Sequence, residues 1–147
     1  MASVEQLLHS VSLQTDEDWM VHLAADIIDE DSKKFAKSRE DEKVRFYPND
    51  SGERLYALKN ICRVLDNIKD DDSIIGIVDG DDYLCENQCF EWVKAGYKTG
   101  AGVVWTANYW NKTGKNTCSD YMPPGADPYK YPWVSSHFRT FPLSTYK

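Results

Sequence analysis

Positive charge is in short supply in this chain. Lysine and arginine number 17 against 24 aspartates and glutamates, a formal net charge of −7, with a pI near 4.9. No Lys/Arg stripe is present to neutralise phosphates along a duplex, which excludes nucleic acid as the expected partner. An acidic surface that takes a phosphorylated ligand needs a cation to do so. Long apolar runs are missing as well. No segment approaches the length that crosses a bilayer, and the N-terminal residues lack the basic flank and apolar stretch of a secretory signal. The expected location is therefore cytoplasmic, with no transmembrane segment. The four cysteines, Cys62, Cys85, Cys89 and Cys118, form no CxxC pair. Cys85 and Cys89, four apart on an expected helix, read as core packing rather than zinc ligands or a disulfide. What remains is 147 residues, 41% of them hydrophobic, enough for one domain with a core.

Periodicity divides most of the chain into alternating elements. Val4, Leu7, Leu8 and Val11 recur at helical spacing, and that helix should stop near Gln14-Thr15. Trp19 to Ala25 reads as a strand ending in Asp26, and Asp31-Ser32 opens a short lysine-rich helix. Val44 to Tyr47 is a second strand, broken by Pro48-Asn49-Asp50-Ser51-Gly52; Leu55, Leu58, Ile61, Leu65 and Ile68 then mark one face of a helix. Strand Ile74 to Val78, helix Glu86 to Ala95 and strand Gly102 to Ala107 complete the alternation. It predicts an α/β fold with a mostly parallel, doubly wound, Rossmann-like sheet flanked by helices. Beyond Asn108 the aromatics, prolines and glycines lose periodicity, and the stretch reads as irregular with short hairpins.

Asp79-Gly80-Asp81-Asp82 follows directly on the apolar run Ile74 to Val78. Three carboxylates are thereby placed at the C-terminal end of an expected buried strand, where open α/β sheets bind ligands. Oxygen-only ligands so close together repel one another unless a hard cation sits among them, and Mg²⁺ or Mn²⁺ held by one or two carboxylates is normally completed by phosphates. An Asp/Gly turn with solvated carboxylates is the plain alternative.

Four ordered segments carry a resemblance. Ser10 to Thr15 with Asp18-Trp19 resembles an "SV..QT…W" helix and strand, and Gly52, Arg54, Ala57 and Asn60 resemble a "G…A.N" helix. Val78 to Leu84 resembles a "DxDD.L" metal motif, and Ser136 to Phe141 resembles "SHLRTF". Together, from about Val4 to Phe141, they are similar to the nucleotide-sugar-binding part of GT-A fold, family-2-type glycosyltransferases. The resemblance implies metal-assisted, inverting transfer of a sugar from a nucleoside-diphosphate sugar to an acceptor hydroxyl. It implies metal ligation of Mn²⁺ or Mg²⁺ by Asp79 and Asp81, and substrate binding by Asp26, Arg54, Asp79, His137 and Arg139. Asp26 would accept from a base N–H, and Arg54 would approach the diphosphate.

The family's first strand, with its "PTYN"-like segment, has no counterpart before Val4, the "DD.S.D" motif is reduced to Asp26, and no carboxylate follows Phe141 to act as base. Residues 1–147 are accordingly expected to form a single domain that is a fragment or truncated form, prone to self-association as a homo-oligomer. Asp120 and Asp127 are the remaining carboxylates for a base, and no catalytic residue is assigned. Asp82 would cap the following helix or orient its neighbours, and Asn60 would tie down backbone. The rings of Trp105, Tyr109, Trp110, Tyr121, Tyr129, Tyr131 and Trp133 would stack on sugar or fill a core. Two alternatives remain open, a non-catalytic GT-A-like binding module and a metal-dependent phosphohydrolase.

Overall fold

The computed structural model describes residues 2–26, 28–118, 122–127, 130 and 138–147. In chain order the described elements are α1 (Ala2–Ser12), β1 (Val21–Ala24), α2 (Glu30–Lys37), β2 (Val44–Tyr47), α3 (Tyr56–Leu65) and β3 (Ile74–Ile77). They continue with α4 (Cys89–Lys98), β4 (Val104–Trp105), β5 (Asn108–Tyr109), β6 (Asn116–Cys118), β7 (Arg139–Pro142) and a 3₁₀ turn at Leu143–Thr145. The protein is a mixed α/β chain of two compact units, one over Asp16–Asp71 and one formed by Ala2–Thr15 with Asp72–Lys147.

In the unit Asp16–Asp71, β1 and β2 pair in parallel with Val21 opposite Val44 and Ala24 opposite Tyr47. A parallel pair needs a crossover, and α2 supplies it. The Asp29 carboxylate caps α2, accepting from Ser32 N–H at 2.8 Å and from Ser32 Oγ–H at 2.7 Å. Those two hydrogen bonds hold the Asp29 carboxyl below its ordinary range. Glu30 and Asp31 in the first turn, and Lys34 and Lys37 in the last, suit the helix dipole. Helix α3 buries Asn60, Val64 and Leu65, whereas Leu58 is 73% exposed. The expected apolar face is therefore rotated. Asn60 and Val64, four apart, share the inner face, and Leu58 lies about 200° around the helix from Asn60.

In the other unit the sheet order is β3-β7-β4, and both pairings are antiparallel. The expected mostly parallel sheet thus extends only to β1 and β2 among the described residues. The reason is β7: the segment after Phe138 returns between β3 and β4 and so must run against them. Short length and a terminal proline concealed it in the sequence. The core holds Leu7 and Val11 of α1, Cys89 and Val93 of α4, Phe138 and Leu143. Burial raises the Cys89 thiol pKa, so it packs as a small apolar group. Gly76 in β3 lies under the ring of Phe138, in space that a methyl group would need. Thr140, 1% exposed, donates from Oγ1 to the Val104 carbonyl at 2.8 Å and lies 2.9 Å from the Tyr97 hydroxyl, fastening β7 to β4 and α4. The expected short hairpin after Asn108 is the β5–β6 antiparallel pair.

Candidate functional site

Two strand ends carry the charged residues singled out above. At the end of β3, Val78 leads into Asp79, Gly80 and Asp81, and the turn is closed by Asp82 N–H donating to the Asp79 carbonyl at 3.0 Å. Asp79 and Asp81 are exposed and Asp82 is half-buried. Register places Arg139 of β7 opposite Ile77, two residues before Asp79. A cation from the end of the chain is thus delivered to the same strand end as the acidic turn, although 60 residues separate Asp79 from Arg139. The N-cap of α4 is Gln88 rather than Asp82, and the helix starts at Cys89, leaving Cys85 in the preceding loop.

Helix α1 holds that loop in place. Buried Gln14 donates from Nε2 to the Glu86 carbonyl at 2.7 Å and accepts at Oε1 from Phe90 N–H at 3.4 Å. It thereby supplies the acceptor that α4 lacks from its own N-cap side chain. Ser10 Oγ accepts from Leu84 N–H at 3.0 Å, and Thr15 N–H donates to the Asn87 carbonyl at 2.8 Å. Ser10, Gln14 and Thr15 therefore position the chain leaving the acidic turn. Their polarity beside apolar Leu7 and Val11 was the only signal of this in the sequence. A groove of about 380 Å³ runs along the same flank, lined by Gln6, His9, Leu13, Tyr83, Cys85 and Asn87 among others. Asp79, Asp81 and Asp82 are not part of its lining.

At the end of β1 the carboxylate of Asp26 is engaged by the protein itself. Oδ1 accepts from Leu55 N–H at 2.7 Å and Asn49 Nδ2–H at 3.1 Å; Oδ2 accepts from Tyr56 N–H at 3.1 Å, with Arg54 Nε at 3.4 Å. Partial burial works to raise the Asp26 carboxyl, but hydrogen bonds from Leu55, Tyr56, Asn60 and Asn49 outweigh it and hold the group below its ordinary range. Asp26 is thus ionised and surrounded by donors. Asn60 donates from Nδ2 to the Tyr56 carbonyl at 2.9 Å and accepts at Oδ1 from Arg63 at 3.0 Å. The Arg63 guanidinium also donates to carbonyls at both strand ends, Tyr47 at 3.0 Å and Ala25 at 3.5 Å, and to Pro48. Arg63 and Asn49 escaped the sequence reading because their partners are backbone groups that no side-chain pattern reveals.

Asp26 and Arg54 therefore meet within one unit, and Asp79, Asp81 and Arg139 gather at one strand end of the other. His137, Asp120, Tyr121, Tyr129, Tyr131 and Trp133 lie outside the described residues. Asp127 is within 3.3 Å of the Lys130 ammonium. Trp110 and Tyr109 are exposed, whereas Trp105 in β4 is half-buried. Among the described residues no three His, Cys, Asp or Glu side chains converge as a ready metal cage, and no helix is long and apolar enough to cross a membrane. Comparison with protein-family models, curated proteins and solved structures yields no match.

Proposed function

We propose that this chain is the nucleotide-sugar-binding domain of a GT-A-like, family-2-type glycosyltransferase acting in the cytoplasm. It would take a nucleoside-diphosphate sugar with Mn²⁺ or Mg²⁺ and transfer the sugar to an acceptor hydroxyl with inversion. The observation that carries this reading is the register of β3 against β7, which brings Arg139 to the acidic turn of Asp79 and Asp81. A diphosphate calls for that combination of a cation-binding turn and an arginine.

The donor set fits a hard cation: two exposed carboxylates on a tight turn, all oxygen, with further coordination left to phosphate. Asp79 and Asp81 would hold the ion, whose chemistry when bound is to neutralise charge developing on the diphosphate leaving group. Arg139 adds a fixed positive charge at the same end, and the Ser10, Gln14 and Thr15 contacts keep the turn's exit rigid, so little reorganisation is needed as charge builds. In the other unit, Asp26 and Arg54 form the nucleoside end. His137 belongs to the same proposal on the strength of its segment alone. A non-catalytic binding module is the second reading, favoured by the ion pairing of Asp127 with Lys130, which leaves that carboxylate poorly placed to take a proton from an acceptor.

Calorimetry with UDP and GDP tests the donor site. Binding is expected to be weak without metal and to tighten with Mn²⁺, and Asp81→Ala is expected to remove the metal dependence while the circular dichroism spectrum stays unchanged. Absence of metal-dependent binding at millimolar nucleotide would sink the proposal. UDP-, GDP- and dTDP-sugars offered with an acceptor panel then separate the two readings, since only a complete transferase gives Asp81-dependent turnover.

A further inference from the structure

Tyr56 is the one non-glycine described residue with positive φ, at 58°. For a bulky side chain that conformation is a genuine outlier and costs energy. Packing does not repay the cost here, because the Tyr56 side chain is not in the core: the residue is 67% exposed. The backbone is nevertheless clamped on both sides, its N–H given to Asp26 Oδ2 and its carbonyl taken by Asn60 Nδ2. The Arg54 guanidinium stands 5.4 Å from the ring centroid while its Nε faces Asp26. An exposed aromatic ring held in a strained backbone by a charged clamp, with a cation over its face, serves recognition better than stability.

We infer that Tyr56 is a ligand-contacting residue, a platform on which the planar base of a nucleoside diphosphate stacks, and that Asp26 acts by positioning it rather than by reading the base. This deepens the proposed donor site and rests on it. The oxygens of Asp26 already accept from Leu55, Asn49 and Tyr56 and face Arg54, so a base N–H would have to displace a protein donor. The ring of Tyr56 has a face to offer every base, and stacking of this kind tolerates different bases. Arg54 then joins the stack or turns to a phosphate oxygen without leaving the end of β1.

The test compares the wild-type chain with Tyr56→Ala, Tyr56→Phe and Tyr56→Gly, using Mn²⁺ with UDP, GDP or inorganic pyrophosphate as probes. Tyr56→Ala is expected to weaken UDP and GDP binding about tenfold or more, to leave pyrophosphate binding unchanged, and Tyr56→Phe to keep wild-type affinity. Tyr56→Gly relieves the left-handed strain, so it should lose nucleotide affinity while its Tm stays level or rises. Wild-type binding of UDP and GDP that survives Tyr56→Ala intact overturns this inference alone. Failure of the folded wild-type chain to bind either nucleotide overturns the donor site and this inference together. Equal loss of pyrophosphate and nucleotide affinity in Tyr56→Ala also overturns it, since the ring would then act through the fold. An Asp26→Asn variant completes the set: an altered UDP-to-GDP preference would show the carboxylate reading the base and refute its positioning role.

Discussion

The end of β1 and the end of β3 use carboxylates in opposite ways. Asp26 accepts from backbone and side-chain donors and is held ionised by them, so it builds the loop that follows it. Asp79 and Asp81 stand exposed on a turn whose closing hydrogen bond is made by backbone, so their side chains are presented outward. The support for the two ends differs as well. Around Asp26 it is polar, from Asn49, Asn60 and Arg63; around the β3 turn it comes from an apolar core of Phe138, Val93 and Leu143 together with the α1 contacts. A carboxylate at a strand end is thus not a ligand by position alone. What decides is whether the surrounding donors belong to the protein or must come from outside.

The sharpest way to break this contrast is to neutralise one carboxylate at each end. Asp81→Asn is expected to abolish metal-dependent nucleotide binding with an unchanged Tm, whereas Asp26→Asn should lower the Tm of the chain, because it replaces an ionised acceptor with a group that accepts at only one atom. Equal melting temperatures for the two variants would erase the distinction. Next in size are changes to the two kinds of support. Arg63→Ala leaves the carbonyls of Ala25, Tyr47 and Pro48 without their donor and should cost about 2 kcal/mol in urea unfolding. Gly76→Ala drives a methyl group into the Phe138 ring and should cost about 1–3 kcal/mol. Its partner variant Gly76→Ala/Phe138→Leu should recover part of that loss if the ring is the obstacle.

Acid should separate the groups by window. Asp26 and Asp29 have folded-state carboxyls below their ordinary value of 3.8, so their contribution is fully present above 3.8 and is lost as the pH falls through the folded values. His22 responds higher. Burial, then the nearby Arg45, lowers its folded pKa below 6.5, and its ring nitrogen Nδ1 is 3.0 Å from the Tyr47 hydroxyl. The unfolded chain therefore takes up that proton first, and stability declines as the pH drops from 6.5 towards the folded value. Thermal melts from pH 7.5 to 3 should show both limbs, and His22→Gln should flatten the upper one only; an upper limb untouched by that variant would remove His22 from the account. The smallest effect belongs to Gly96→Ala. Its new Cβ would meet Val104 Cγ2 at 2.9 Å, a side-chain tip that can yield, and the gain of about 0.5–1 kcal/mol in helix preference offsets the crowding. Melting within a degree or two of the wild type is expected.

Periodicity and composition determined much of this protein without tertiary help. The β2 bounds Val44 to Tyr47, the start of β3 at Ile74, the helix before Gln14 and the break at Pro48 to Gly52 follow from local alternation and turn chemistry, which act over a few residues. The acidic turn was equally plain, because three aspartates after an apolar run need no partner to be noticed. Tertiary structure alone decided the rest. It set the direction of β7, since an antiparallel return between β3 and β4 depends on pairing across 60 or so residues that a local pattern does not encode. It rotated α3 so that Asn60 went in and Leu58 out, because a buried amide joined to Arg63 and the Tyr56 carbonyl outweighs the transfer of one leucine. It also turned Asp26 inward to the protein and Tyr56 outward to solvent, for the physical reason that hydrogen bonds to backbone amides are made by whichever carboxylate the fold brings within about 3 Å, and spacing along the chain carries no record of that distance.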